Sequence, residues 1–219
     1  MSTYKDRIIA KLGNHLNNPE DRGVVSGMLN RLDQKYDLTR KILKEPGVED
    51  IISELVGRIE SSFGSLAAVR GKRILDIACG SNTSKEPSLL NITIPFSGRK
   101  IGISKAKGFT AKFEPWFCRI LLELDAEPVG VDIGNLEGEA FEHYKVDLGL
   151  KGALDSLPSH SFDGIQDSRL FGSPEFTTQF PDGADRLRVA QEIGQQEQRL
   201  LKNEGRMIHS DAAYLLRNG

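Results

Sequence analysis

The chain has 219 residues, of which 38% are hydrophobic and 27% are charged, and its formal net charge is −2. This composition fits one large globular domain and excludes a strongly basic protein that binds nucleic acid or membranes through a global charge field. No apolar run reaches transmembrane length, and the polar N-terminus argues against a secretory signal. The two cysteines, Cys79 and Cys118, have apolar neighbours typical of reduced thiols, so we expect a cytoplasmic protein with no membrane partner.

The first 70 residues predict helices and no strand. Isoleucine and leucine recur at helical spacing in three stretches, which are separated by breaks at Pro19 and at Pro46-Gly47. We favour packing of these apolar stripes against a sheet, and a cap over a substrate pocket is the alternative. Residues 1–70 are therefore predicted to be an N-terminal helical extension of a domain that covers residues 71–219.

Residues 71–219 alternate between predicted strands and helices. Five strands are predicted, at 73–78, 128–132, 143–147, 161–167 and 206–210. Helices are predicted at 114–124 and 185–202, and Gly205 is expected to lie in the turn before the fifth strand. Strands that alternate with helices imply right-handed crossovers and a parallel sheet.

A long stretch, 81–112, separates the first predicted strand from the next helix. It is rich in glycine, serine and lysine, and only 89–95 and 100–104 have an extended character. Irregular segments of this length are usually functional or mobile, so we predict an insertion that acts as a lid. Five basic residues and no acid lie in 97–112, namely Arg99, Lys100, Lys105, Lys107 and Lys112. A solvated loop is the favoured interpretation, and contact with a nucleic-acid backbone is the alternative.

Acidic residues and a glycine mark the first three strands of the predicted sheet. Asp76 lies in the first strand, which stops at Gly80, and Asp132 and Asp147 end the next two. The carboxyl ends of parallel strands meet at one edge of a sheet, where ligands bind. A carboxylate at Asp132 can accept both hydroxyls of a ribose, Asp147 can accept an exocyclic amine, and Gly80 would let a ligand approach the backbone. The pattern predicts a nucleotide-type site, and a buried strand with a turn glycine that binds nothing is the alternative.

This ordered pattern resembles the class I S-adenosylmethionine-dependent methyltransferases. The segment 76–80, Asp-Ile-Ala-Cys-Gly, is similar to the acidic strand and glycine turn of that family, and 161–163, Ser-Phe-Asp, is similar to its fourth strand. The turn before the fifth strand is matched by 201–205, and the resemblance covers about residues 72–210. It implies an α/β, Rossmann-like methyltransferase fold, with a mostly parallel five-strand sheet in the order 3-2-1-4-5 flanked by helices.

The resemblance also implies a cofactor, S-adenosylmethionine, and methyl transfer to an unknown acceptor. The residues that it assigns to the cofactor follow the first four strands: Asp76, Ala78, Cys79, Gly80, Asp132, Ile133, Asp147, Leu148 and Asp167. No catalytic residue is assigned. No metal is expected either, because the four histidines have no metal-ligand spacing.

Three departures from the family pattern leave alternatives open. The second glycine of the first loop is missing, Asp76 and Asp132 are 56 positions apart, and the sequence continues for only nine residues after Ser210. The last of these leaves no room for a sixth and a seventh strand. One alternative is therefore a non-catalytic or degenerate module that binds S-adenosylmethionine or a nucleotide. A dinucleotide-binding protein is disfavoured, because the Gly-x-Gly-x-x-Gly fingerprint is absent.

The fifth predicted strand also bears on assembly. If it lies at the edge of the sheet, its unpaired backbone groups invite pairing with a second chain, which predicts a homodimer. Coverage of this edge by the helices of residues 1–70 is the alternative.

Overall fold

The computed structural model describes residues 3–13, 16, 19–81, 85–93, 100–109, 111–168, 170–171 and 173–218. In chain order, the strands are β1 (Arg73–Ile77), β2 (Lys85–Thr93), β3 (Lys100–Phe109), β4 (Glu127–Asp132), β5 (Glu142–Lys145), β6 (Phe162–Asp167) and β7 (Leu201–Ser210). The helices are α1 (Tyr4–Leu12), α2 (Pro19–Tyr36), α3 (Leu38–Lys44), α4 (Gly47–Phe63), α5 (Trp116–Glu123), α6 (Pro174–Gln179), α7 (Gly183–Leu200) and α8 (Asp211–Asn218).

The main sheet contains five strands in the order β5-β4-β1-β6-β7. Each neighbouring pair is parallel. Counted along the chain within this sheet, the order is 3-2-1-4-5, so the predicted Rossmann-like topology is confirmed. The strand order reverses beside β1, which is the position where doubly wound sheets form a ligand crevice.

Alternate residues of β1 face two different cores. Ile74 belongs to the core shared with helices α1–α4 and with Trp116 and Phe117 of α5. Leu75 and Ile77 belong to the opposite core, which includes residues of β6 and α7. This alternation is the period of two that a strand imposes on its side chains. Helices therefore cover both faces of the sheet, and the predicted domain boundary at residue 70 stays a prediction.

The stretch 81–112 differs from the irregular segment predicted from its composition. Its backbone contains an antiparallel pair, β2 with β3, in which Leu90 lies opposite Ile103 and Thr93 opposite Lys100. The two strands form a sheet of their own. Glycine, serine and lysine weaken strand signals, because strand propensity reflects packing against neighbours more than backbone preference. The side chains of Arg99, Lys100, Lys105 and Lys107 lie outside the described residues.

The prediction of a turn at Gly205 is wrong. Strand β7 begins at Leu201, directly after α7, and Gly205 lies inside the strand. The pairing of β7 with β6 shifts register between Phe162 and Gly164, which face Leu201 and Arg206. A Cβ at Gly205 would lie 2.7 Å from the Leu201 side chain, so the glycine makes room at an irregular strand segment.

The predicted edge position of the fifth strand agrees with the sheet order, since β7 is the last strand on its side. Helix α4 lies near this strand, and Arg206 Nη1 donates a hydrogen bond of 3.0 Å to the carbonyl oxygen of Ser62. The homodimer stays a prediction. Within the described ranges, every helix is either too short or too polar to be a membrane span.

Candidate functional site

A cavity of about 840 Å³ lies at the carboxyl ends of β1, β4, β5 and β6. Eight of the nine residues predicted for the cofactor line it: Asp76, Ala78, Cys79, Gly80, Asp132, Ile133, Asp147 and Leu148. The topology brings them together because parallel strands present their carboxyl ends at one edge. Their role in binding a cofactor stays a prediction.

Gly80, in the loop after β1, packs against the backbone of the segment before α5. This glycine has φ +89°, and a Cβ there would lie 2.2 Å from the carbonyl oxygen of Phe113. The same oxygen accepts a hydrogen bond of 2.9 Å from Ser81 N. The space at Gly80, which was expected to admit a ligand, is filled by the backbone before α5. Glycine is required here for backbone packing.

The carboxylate of Asp132 links the loops that follow β1 and β4. One oxygen, Oδ2, accepts from Gly80 N at 2.9 Å, and the other, Oδ1, accepts from Gly134 N at 2.7 Å. Asp132 also lines the cavity, where ligand hydroxyls would meet its carboxylate. Asp132 is therefore both a structural tie and a candidate ribose ligand.

The second candidate nucleoside ligand, Asp147, lies just beyond β5. Its Oδ1 accepts from Gly149 N at 2.9 Å, and its Oδ2 faces Gln179 Nε2 at 3.3 Å. Gln179 and Phe176 of α6 also line the cavity. Sequence reasoning missed this helix, although Ser173 followed by a proline is a typical helix start, and the Ser173 side chain indeed accepts from Phe176 N.

Asp76 is a buried carboxyl of the cavity wall. Only 2% of its surface is exposed, and its two donors are distant, with Gln166 Nε2 at 3.4 Å and Cys118 Sγ at 3.8 Å. Burial, with a smaller contribution from the charge of Asp132, raises the pKa of Asp76 to about 8. A positively charged ligand group would compensate this burial and favour the ionised form.

The structure does not support the assignment of Asp167 to the cofactor site. Asp167 is fully buried and is not among the residues that line the cavity. Its carboxylate accepts from the backbone of Asp211 and, at 3.0 Å, from Ala212 N, so it caps α8. Side chains alternate along β6, and the neighbours Gln166 and Ser168 line the cavity instead.

A second buried acid, Glu197 of α7, lies near Asp167 and makes the stability of the protein depend on pH. Burial, helped by the charge of Asp167, raises the pKa of Glu197 from 4.5 to about 8. The folded protein therefore binds more protons than the unfolded chain between these pH values, and stability falls as pH rises through the window. We expect Glu197→Gln to reduce this fall, as measured by denaturant unfolding at both ends of the window. Asp76 titrates in the same window, so some slope remains, and an unchanged slope would contradict the prediction.

Further lining residues come from segments that sequence reasoning left out of the site. The apolar wall includes Ile51 and Leu55 of α4, and Trp116 and Phe117 of α5. The only sequence signal for them was helical periodicity, which does not distinguish a cavity wall from a core. The charged additions are Lys112 and Glu114, just before α5.

Electrostatics of the cavity favour a cationic ligand. Among the described residues that line it, four are acids and one is a base: Asp76, Glu114, Asp132 and Asp147 against Lys112. Glu114 is already paired with Arg119 and Lys41, and burial raises the pKa of Asp76 to about 8, so Asp132 and Asp147 are the carboxylates that attract positive groups and hydrogen-bond donors. The described side chains include no cluster of histidine, cysteine and acidic groups that could hold a metal ion.

Comparison with known proteins gave two solved structures. No family model matches the chain, and no curated protein matches it significantly. A trans-methyltransferase, CalH, in complex with SAH has 11% identity and a TM-score of 0.38, over 98% of this chain and 52% of that one. The carbon methyltransferase CurJ has 14% identity and a TM-score of 0.35, over 93% of this chain and 46% of that one. The chain spans about half the length of either structure, and the interpretation of the cavity rests on its own residues.

Proposed function

We propose that the chain binds S-adenosylmethionine in this cavity and transfers its methyl group to an acceptor that the cavity does not identify. The observation that carries the proposal is the acidic lining at the carboxyl edge of a sheet with the order 3-2-1-4-5. S-adenosylmethionine carries a positive sulfonium, an ammonium group and the donor groups of an adenosine, all of which suit carboxylates. A dinucleotide would bring a negatively charged pyrophosphate against the same wall.

Three acidic residues of the cavity can each be assigned to one polar part of this cofactor. Asp132 would accept the ribose hydroxyls, and Asp147, at the next strand end, would accept the amine of the adenine. Asp76 lies within β1, where its buried carboxyl suits the positive part of the ligand. When bound, the sulfonium of the cofactor activates the methyl group toward a nucleophile. The contribution of the chain is to hold the donor in a fixed orientation and to exclude water.

Calorimetry with S-adenosylmethionine, S-adenosylhomocysteine and NAD tests the proposal. We expect binding heat with the first two ligands and none with NAD, because only NAD brings a pyrophosphate. Absence of heat with both sulfur-containing ligands would refute the proposal. Binding without methyl transfer to any tested acceptor would support the non-catalytic module that the sequence analysis left open.

The hairpin of β2 and β3 follows the loop of Gly80, and we propose that it acts as a lid. Cleavage by trypsin after Lys100, Lys105 or Lys107 should slow when S-adenosylhomocysteine is added, because a closed lid exposes its backbone less. Limited proteolysis followed by mass spectrometry measures the rates site by site. The matched control is cleavage after Lys202 in β7, on the edge strand of the main sheet, which should be unaffected. Equal rates at the hairpin with and without ligand would make it an ordinary insertion.

A further inference from the structure

The two faces of the main sheet contribute different residues to the cavity. Asp76 of β1 lies opposite Gln166 of β6 in the parallel register, so both side chains project from the same face. Ser168 follows two positions later on that face, and its Oγ lies 3.4 Å from Gln166 Nε2. This is the face of Ile74, which α4 and α5 cover. Residues of these helices and of β6 form one side of the cavity, the α4 side: Ile51, Leu55, Trp116, Phe117, Gln166 and Ser168.

The opposite side of the cavity suits the nucleoside of the proposed cofactor. Leu148 and Phe176 belong to the core on the other face of the sheet, and they line the cavity together with Asp147. An adenine that uses Asp147 therefore lies toward this other side. The volume of about 840 Å³ is near the upper end of the range of about 300–1,000 Å³ for small-molecule sites, which leaves room for a second small ligand.

The α4 side offers apolar surface that a ligand can reach. Ile51 and Leu55 line the cavity and keep 8% and 6% of their surface exposed. Trp116 and Phe117 of α5 lie in the same wall, and the polar Nε1 of Trp116 is occupied by the carbonyl oxygen of Ala111 at 2.7 Å. None of these four lining side chains carries a charge. A ligand gains by covering this surface with an apolar group of its own.

Ser168 adds a hydrogen-bond donor to the α4 side. It is partly exposed and lines the cavity. Its Oγ meets Gln166 Nε2, and within the described part of the chain its hydroxyl donates to no acceptor. Gln166 also faces Asp76 Oδ1 at 3.4 Å and Arg58 Nη1 of α4 at 3.5 Å, so the neighbours of Ser168 connect β6 to α4. The Ser168 hydroxyl is therefore available to an oxygen atom of a ligand.

We propose that the α4 side of the cavity binds the methyl acceptor, and that this acceptor is a small neutral molecule with an apolar body and an uncharged oxygen group such as a hydroxyl. This inference rests on the proposed function. The body packs against Ile51 and Leu55, and the oxygen accepts a hydrogen bond from Ser168. A charged acceptor of either sign would lose hydration against the apolar wall, and a negative one would also meet Asp132 and Asp147.

The test measures the binding of small probes with and without saturating S-adenosylhomocysteine. Three apolar bodies, naphthyl, biphenyl and octyl, are each combined with a hydroxyl, a carboxylate and an ammonium head, and ligand-observed NMR gives each Kd. Two variants alter the α4 side: Ser168→Ala removes the donor, and Ile51→Phe fills the apolar space. The control Ser61→Ala removes a hydroxyl that donates to the carbonyl groups of its own helix, α4, and does not line the cavity.

We expect the hydroxyl form of at least one body to bind beside S-adenosylhomocysteine, at least about 10-fold more tightly than its carboxylate and ammonium forms. Ser168→Ala should weaken that probe by about 2- to 10-fold, the range for a neutral hydrogen bond. Ile51→Phe should weaken it by more than about 10-fold, because the larger ring takes the space of the apolar body. Both variants should keep the Kd of S-adenosylhomocysteine within about 3-fold, which also shows that they fold, and Ser61→Ala should change neither Kd.

The contradicting outcomes separate the two proposals. If the unmodified protein does not bind S-adenosylhomocysteine, both the proposed function and this inference are wrong. If it binds that ligand, and no hydroxyl probe binds beside it or the charged forms bind as tightly, this inference alone is overturned. Displacement of the probe by S-adenosylhomocysteine would assign the α4 side to the cofactor and also overturn it. Equal weakening of the probe in Ser168→Ala and Ser61→Ala would do the same, since Ser61 lies outside the cavity wall.

Discussion

Replacing Gly80 by alanine should destabilise the protein by about 3 kcal/mol or more and abolish cofactor binding. A left-handed backbone costs a residue with a Cβ about 1–2 kcal/mol, and a forced close contact costs about 1–3 kcal/mol more. At Gly80 both apply, because φ is +89° and the added Cβ would lie 2.2 Å from the Phe113 oxygen. Relief of the clash would displace either the loop after β1 or the segment before α5, and both line the cavity. Denaturant unfolding and calorimetry measure the two effects.

Gly64 provides the matched control for this variant. It has φ +81° at the end of α4, and a Cβ there would meet nothing within 4 Å. Gly64→Ala should therefore cost only the conformational part, about 1 kcal/mol, and leave binding unchanged. The difference between the two variants measures the contact with Phe113. Equal losses of unfolding free energy in the two variants would show that the backbone before α5 moves to accommodate the added Cβ at no cost.

Replacing Asp132 by alanine should weaken S-adenosylmethionine binding by about 1.5–3 kcal/mol, the range for hydrogen bonds to a charged group. The variant should also lose about 1–3 kcal/mol of stability, because Gly80 N and Gly134 N lose their acceptor. From the sequence alone, a carboxylate at a strand end predicts little effect on stability. The hydrogen bonds from Gly80 N and Gly134 N change that expectation to a measurable loss of stability. Calorimetry and denaturant unfolding of the same sample separate binding from folding.

The control for Asp132 is Asp182, which accepts from Ala184 N at 2.8 Å as the N-cap of α7 and does not line the cavity. Asp182→Ala should lower stability by about 0.5–2 kcal/mol, the typical cost of a lost cap, and leave affinity unchanged. An Asp132→Ala variant that folds and binds as tightly as the unmodified protein would remove Asp132 from the ligand site.

The strands of the main sheet could be predicted from the sequence because their signals are local, and alternation with helices predicted that they are parallel. Their order, 3-2-1-4-5, was implied by the resemblance to the class I methyltransferases. The same locality explains the errors. A turn was predicted at Gly205 because glycine is common in turns. Only the pairing of β7 with β6 shows that it lies within an irregular strand. The hairpin of β2 and β3 depends on pairing between strands of weak propensity.

The candidate site was predictable only where it follows the strand ends. Asp132 and Asp147 were found because an acid at the end of a predicted strand is visible in the sequence. Asp167 ends β6 in the same way, yet its side chain caps α8, because strand position does not fix which partner a carboxylate takes. Glu114 had no signal, since its partner Lys41 is 73 positions away and the two meet only after α3 packs near α5.

The core shared between the N-terminal helices and the sheet has a consequence for how the protein opens. Ile51 and Leu55 of α4 belong to that core and also line the cavity. Helix α4 and the face of β1 that carries Ile74 therefore form one cooperative unfolding unit, in which neither part keeps its apolar surface covered without the other. A ligand in the cavity stabilises this whole unit by mass action. Hydrogen exchange should then slow along the backbone of α4, a helix with no predicted cofactor residue.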